Sequence, residues 1–355
     1  MNIFLTGYCH ENLGDDLLIY ILTQRYPQHT FHMLVHSDHA HAYDHMPNVK
    51  VHRQPKLLRG VDKVLSKISP KLSFTYLYGL TKELSVLVGG SMFQELAGDR
   101  SDLKRLALMP ANHNKFYVLG INYGPEKTQA YYEACRKYLS CATDVCFREQ
   151  TSYDRFSDLP NTRVGNDMVF AIRQLCPAPE EKKNTCIICP IQKDLGPHYG
   201  DYLAFLKEQV LDQVAQGRQV ILASFCRFEG DEAAVEELAR MCKPEVGEKL
   251  QTLYYDGNNY VDICRSIASA AYVVATRFHS MVLALAYGVP VTVISYSNKT
   301  RQLLKDMGKD DCDIQPHMLS QFLGKQPPQI TGIDPDYWEA EAEKHFQELD
   351  KILNP

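Results

Sequence analysis

The 355-residue chain has no run of about 18 apolar residues, so nothing in it reads as a membrane-spanning helix. The opening Met-Asn-Ile-Phe-Leu-Thr-Gly-Tyr carries no basic stretch, and its apolar run is too short for a secretory leader. There is no excess of positive charge: the formal balance of −5 gives nucleic acid no electrostatic footing, and no nucleic-acid partner is expected. The eleven cysteines are scattered and odd in number, unlike a secreted disulfide framework, which points to the reducing cytoplasm. Cys186 and Cys189 make a Cys-x-x-Cys, but no second pair completes a tetrahedral zinc site. In a strand, positions three apart face opposite ways, so buried structural thiols are expected. Internal repeats and low-complexity tracts are absent, and the seven histidines between His29 and His52 match no metal-ligand spacing.

Against those absences stand 45% hydrophobic and 23% charged residues, the composition of a globular protein. Apolar runs that read as strands alternate with helical periods: 2–7, 30–36, 49–53, 85–88, 116–121 and 143–148, then 186–191, 219–225, 250–255, 272–276 and 291–296. The Pro-rich, charged stretch from Cys176 to Asn184 separates the two series. The order predicts an α/β protein of two doubly wound, Rossmann-like domains facing across a cleft. The expected divisions are an N-terminal domain over 1–175, a C-terminal domain over 184–330, and a closing helix over 334–355 that packs back on the body. Tyr202–Gln216 has a clear helical period ending at Gly217. The closing helix begins at Asp334-Pro335 and carries Trp338, Ala342, Phe346, Leu349 and Leu353 on one stripe.

The most informative segment runs from Ala271 to Pro290, a buried strand followed by a helix apolar on nearly every face. Arg277 and His279 at its mouth need partners, because an unpaired buried charge is costly. Backbone N–H groups and the dipole at a helix N-terminus favour an anion and leave His279 able to exchange a proton near neutral pH. An arginine–carboxylate pair beside a packed histidine explains the pattern equally well. The opening turn, Gly7 to Asp16, carries Asn12, Gly14, Asp15 and Asp16; capping accounts for the two acids but not for Asn12 and Gly14 at a strand's carboxyl end. Gly89-Gly90-Ser91 repeats the strand–glycine–helix plan. Arg148 closes a strand, Asp167 follows in Gly-Asn-Asp, and Lys299 ends Tyr296-Ser-Asn-Lys. Such a set of basic and proton-bearing groups suggests an anionic small molecule.

Taken in order, these segments resemble the polysaccharide pyruvyl transferase family: Asn12-Leu-Gly14-Asp15-Asp16, Gly89-Gly90-Ser91, Arg148-Glu-Gln-Thr-Ser152, Asp167, Arg277-Phe278-His279 and Tyr296-Ser-Asn-Lys299. Val88 departs from the family, which often shows a third glycine there. The resemblance implies a GT-B-like fold and transfer of the carboxyvinyl group of phosphoenolpyruvate onto a sugar of a surface polysaccharide or its precursor, giving a pyruvate ketal. It further implies that Arg148 and Arg277, with Phe278 and Lys299, hold the donor's anionic groups, which suit bidentate arginine. His279 is then the general acid, Asn12, Asp15, Asp16, Gly90 and Ser91 face the sugar acceptor, and no cofactor or metal is required.

Between 50 and 71, seven cations oppose one acid, Asp62, a local charge of +6, while Leu57, Leu58, Val61, Val64, Leu65 and Ile68 recur at helical spacing. A helix over 56–69 of this kind lies on an anionic membrane surface, which would suit an acceptor carried on polyprenyl diphosphate, or it covers a sheet with a solvated basic face. Two other functions fit the sequence less well. A GT-B glycosyltransferase would bind a nucleotide sugar, and a non-catalytic scaffold would keep only the fold.

Overall fold

The apolar runs form strands buried on both faces. Leu84–Val88 and Phe116–Ile121 in the first series, and Thr185–Cys189, Tyr272–Ala275 and Val291–Ile294 in the second, have no exposed residue. Strands hidden on both sides are the mark of parallel sheets covered by helices. The structure, a computed structural model, describes residues 1–98, 100–107, 115–193 and 195–354.

The chain forms two units: Met1–His10, Asp15–Met168 and Ala340–Pro355 make the first, Glu11–Gly14 and Val169–Glu339 the second. The first contains β1 (Asn2–Thr6), β2 (Thr30–His36), β3 (Val49–Gln54), β4 (Leu84–Val88), β5 (Phe116–Ile121), β6 (Asp144–Phe147) and β7 (Thr162–Val164), in the order 3-2-1-4-5-6-7. The second contains β8 (Thr185–Cys189), β9 (Gln219–Ala223), β10 (Leu250–Leu253), β11 (Tyr272–Ala275), β12 (Val291–Ile294) and β13 (Asp313–Ile314), in the order 10-9-8-11-12-13. Every pairing between these strands is parallel, with Ile3 opposite Leu84 in one sheet and Val273 opposite Ile187 in the other. The direction of winding reverses between β1 and β4 and between β8 and β11. In open α/β sheets a ligand crevice lies at the carboxyl ends of the strands there. Gly89-Gly90 follows β4, and Thr276-Arg277 follows β11.

Some elements differ from the sequence reading. The chain changes unit near residues 10, 14, 168 and 339, not in the stretch 176–184. The closing segment is not one helix but Pro335–Glu343, a short 3-10 turn, and Gln347–Leu353. Trp338 packs on Phe170 in the second unit, while Ala342, Phe346, Leu349 and Leu353 are buried in the first. The basic helix spans Lys56–Ile68, and none of its residues is buried, which overturns the sheet-covering alternative. Cys186 and Cys189 are both buried, with thiols pushed up by desolvation. Among the described residues no three His, Cys, Asp or Glu side chains gather as a metal-ligand set, the His29–His52 group included. His32 and His52 bond instead to each other, and both reach the Tyr78 hydroxyl.

Candidate functional site

In the second unit the helix Phe278–Ala286 has all nine residues buried, because it carries no polar face. It starts at Arg277 and is closed by Gly288, whose φ of 62° is the left-handed conformation a helix end favours. Arg277 is 7% exposed and fully engaged. Its Nε donates to the two carboxylate oxygens of Asp231 at 2.9 and 3.1 Å, and Nη2 donates to the same group. Nη1 donates to Glu229 and, at 3.4 Å, to the Tyr296 hydroxyl. Asp231 also accepts the N–H groups of Phe225 (3.1 Å) and Cys226 (2.9 Å). Burial opposes the charge on Arg277, but Asp231 outweighs it, with help from Tyr296 and Glu229, and the guanidinium is held above its ordinary range. Burial likewise opposes ionisation of Glu229; Arg277 and then Lys193 prevail and hold its carboxyl below the usual range.

The segment 11–14 is stitched to the same place. Leu13 N–H donates to Phe225 C=O at 2.9 Å, Asn12 bridges to Cys226, and Asn12 Oδ1 accepts the Gly14 N–H at 3.1 Å. Glu11, ahead of them, takes a left-handed φ of 49°, a costly conformation for a residue with a side chain. The imidazole of His279 lies directly on Gly14, in the first turn of the helix Leu13–Arg25: a Cβ added there would fall 1.6 Å from Nδ1, so only glycine fits. The Phe278 ring meets His279 edge-on at 5.0 Å, and the Lys299 ammonium lies 5.4 Å from the Phe278 ring centre. Asn12, Gly14, Arg277, Phe278, His279, Tyr296 and Lys299 are thus joined through named contacts in one unit.

The first unit has a second centre. Arg148 follows β6 and is 5% exposed; Nη1 donates to Asp167 at 3.0 Å and Nη2 to Asn122 at 2.6 Å and Ser91 Oγ at 3.5 Å. Gly90 makes room for it, since a Cβ there would come within 2.6 Å of Nη1. Beneath lies His345, from the end of the chain. Its Nδ1 accepts the Gly120 N–H at 3.3 Å, which leaves the proton on Nε2, facing the Asn166 carbonyl at 2.6 Å. That pairing suits a neutral ring, and burial pulls its pKa down to about 3.

Three expectations need correction. Arg277 and Arg148 do not present open guanidinium groups to an anion; each holds an internal carboxylate, Asp231 with Glu229 in one case and Asp167 in the other. Asp16 does not face an acceptor, since its side chain is enclosed and accepts the Tyr43 hydroxyl. Asn12 does not belong with the first unit, where Asp15, Gly90, Ser91 and Arg148 lie. Sequence reasoning missed Glu229, Asp231, Asn122 and His345. A signal existed for one of them: Asn122 is the first polar residue after a fully apolar strand. Nothing local pointed to His345.

The polysaccharide pyruvyl transferase family model matches residues 12–298, a span that contains both centres except Lys299 and His345. Among curated proteins, the amylovoran biosynthesis protein AmsJ of Erwinia amylovora is 22% identical over 289 residues, covering 73% of this chain and 67% of AmsJ. Among solved structures, the Methanocaldococcus jannaschii UDP-GlcNAc 2-epimerase, in complex with UDP-GlcNAc and UDP, superposes with a TM-score of 0.57 at 9% identity, covering 99% of this chain and all of that one. The S. aureus protein MnaA, solved with UDP, gives 0.55 at 8% identity, covering 96% and 90%. Anabaena HepE in complex with UDP-glucose gives 0.50 at 14%, covering 99% of each chain. At such identities the likeness is one of fold, and the fold is GT-B-like.

Proposed function

Because the chain belongs to the polysaccharide pyruvyl transferase family, we propose that it transfers the carboxyvinyl group of phosphoenolpyruvate to a sugar of a surface polysaccharide or its precursor. The family match over 12–298 carries this reading, and the contact of Gly14 with His279 supports it by joining two of the matched segments. His279 gives a proton to the methylene carbon of the donor while a sugar hydroxyl adds to the adjacent carbon and then yields its own proton, which restores the imidazolium. Inorganic phosphate leaves, and a neighbouring hydroxyl of the same sugar adds in turn and loses its proton, closing the ketal. Fixed donors aimed at the developing charge supply most of the acceleration.

The donor's anionic groups belong with Arg277, Phe278 and Lys299. Arg277 reaches the donor by exchanging Glu229, whose side chain is 24% exposed, and keeps Asp231, whose side chain is wholly enclosed. Arg148 acts as a positioning residue: locked to Asp167 and Asn122, it orients Gly90 and Ser91 toward the acceptor. The enzyme works in the cytoplasm, at the inner face of the cell membrane when the acceptor is carried on polyprenyl diphosphate.

The test is donor binding followed by turnover. Phosphoenolpyruvate is expected to raise the melting temperature and, with a galactose- or mannose-type acceptor, to release phosphate. His279→Gln should cut that rate by about 10²–10⁴-fold with the fold intact. Stabilisation by UDP-glucose and none by phosphoenolpyruvate would overturn the assignment in favour of a nucleotide-sugar glycosyltransferase.

A further inference from the structure

The basic helix Lys56–Ile68 buries none of its residues, although it is strongly amphipathic. Leu57, Val61, Val64 and Ile68, spaced to fall on one stripe, are 81, 45, 59 and 73% exposed. This exposure is concentrated: of thirteen large hydrophobic side chains exposed among the described residues, eight lie between Leu57 and Leu80. Single exposed leucines need no explanation, but a contiguous apolar stripe marks an interaction surface.

We propose that this face docks on an anionic lipid bilayer. Charge selects the occupant. Residues 50–71 carry +6 in a chain whose balance is −5. The single acid, Asp62, is engaged internally, accepting the Phe74 N–H at 2.6 Å. An isologous contact with a second copy would set these like charges against one another, and protein interfaces are depleted in lysine. An apolar stripe bordered by lysine and arginine is instead the form in which a helix lies in a bilayer interface, with aliphatic side chains among the acyl chains and cations at the lipid phosphates. Next to the helix is an apolar cavity of about 490 Å³, whose lining includes Pro70, Leu103, Leu106 and Tyr138 together with Lys71 and Lys137. It offers a lipid chain a place to enter beside the cations that hold its headgroup. Because the helix buries nothing, replacing its side chains leaves the core untouched.

The experiment is co-sedimentation of the full chain with vesicles of phosphatidylcholine alone or mixed with phosphatidylglycerol, without donor or acceptor, so that its outcome is separate from the assignment of the reaction. Binding is expected only to the mixed vesicles, weakening as salt is raised. Lys63→Glu and Lys67→Glu should each lower the partition coefficient by about fivefold or more, and Val64→Asp with Ile68→Asp by at least about tenfold, all with unchanged melting temperature. Equal binding to both vesicles, binding to neither, or an apolar-face variant that binds like the parent would each overturn the proposal.

Discussion

The two buried arginines occupy comparable places, each just beyond the carboxyl end of a parallel strand, yet they are held differently. Arg148 and Asp167 have side chains only 3 and 2% exposed, and Asn122 and Ser91 complete the enclosure. Arg277 has one partner that never meets water, Asp231, and one that does, Glu229 at 24%. Removing one partner from a buried ion pair strands the other charge at a cost of several kcal/mol. A pair that reaches solvent is weaker, and either member can exchange it for another ion. The first arrangement suits a part that must not move, the second a part that must trade partners during a reaction.

The sharpest way to break this contrast is to remove each acid in turn. Asp231→Asn should destabilise the protein by about 3–5 kcal/mol, read as a lowered melting temperature; a loss below about 1 kcal/mol would mean that Asp231 is no more an anchor than Glu229. Next come the two glycines. Gly14→Ala drives a methyl into the His279 ring, and turnover should fall by about 10²-fold. Gly90→Ala meets a movable guanidinium at 2.6 Å and should act on the acceptor's KM more than on kcat. If both lower kcat equally, the centres do not differ in role.

Acid distinguishes the units in another way. His345 has its pKa pulled to about 3 and His32 to about 4, in each case chiefly by burial, and both belong to the first unit. Above the unfolded value near 6.5 neither state holds the proton, so these rings cost nothing. Below it the unfolded chain takes up the proton and the native ring does not, so stability falls as pH drops from about 6.5 toward the folded values. His345 alone should account for about 2 kcal/mol by pH 5. A urea series at pH 7.5 and 5 checks this, and His345→Gln should show a shallower loss. The smallest effect is Glu229→Gln, which removes a competitor from Arg277 and should lower the KM for phosphoenolpyruvate about threefold at unchanged kcat. An unaltered KM would count against partner exchange.

Much of the fold could be read in the sequence because strands covered on both faces leave continuous apolar runs, as in 116–121 and 272–276. The strands that escaped, Thr162–Val164 and Asp313–Ile314, are too short to leave such a run. Arg277 and His279 stood out because a helix with no polar face cannot reach solvent, so polar groups at its mouth need a reason. Their partners were hidden for the opposite cause: Asp231 looks like any acid in the first turn of a helix. That Gly14 exists to admit His279 depends on a contact between residues far apart in sequence, which no local pattern encodes. For the basic helix the sequence held the amphipathicity but not whether anything covers it.

The return of residues 340–355 to the first unit bears on synthesis. Arg25 donates to Glu343 at 2.7 Å and to Asp350 at 2.9 Å, and His345 braces Gly120 and Asn166, so the first 168 residues lack these supports until residues 340–355 have left the ribosome. The later-translated unit can therefore close before the earlier one. Translation that stops short of Ala340 should release a product whose amino-terminal half is the half that chaperones and proteases recognise.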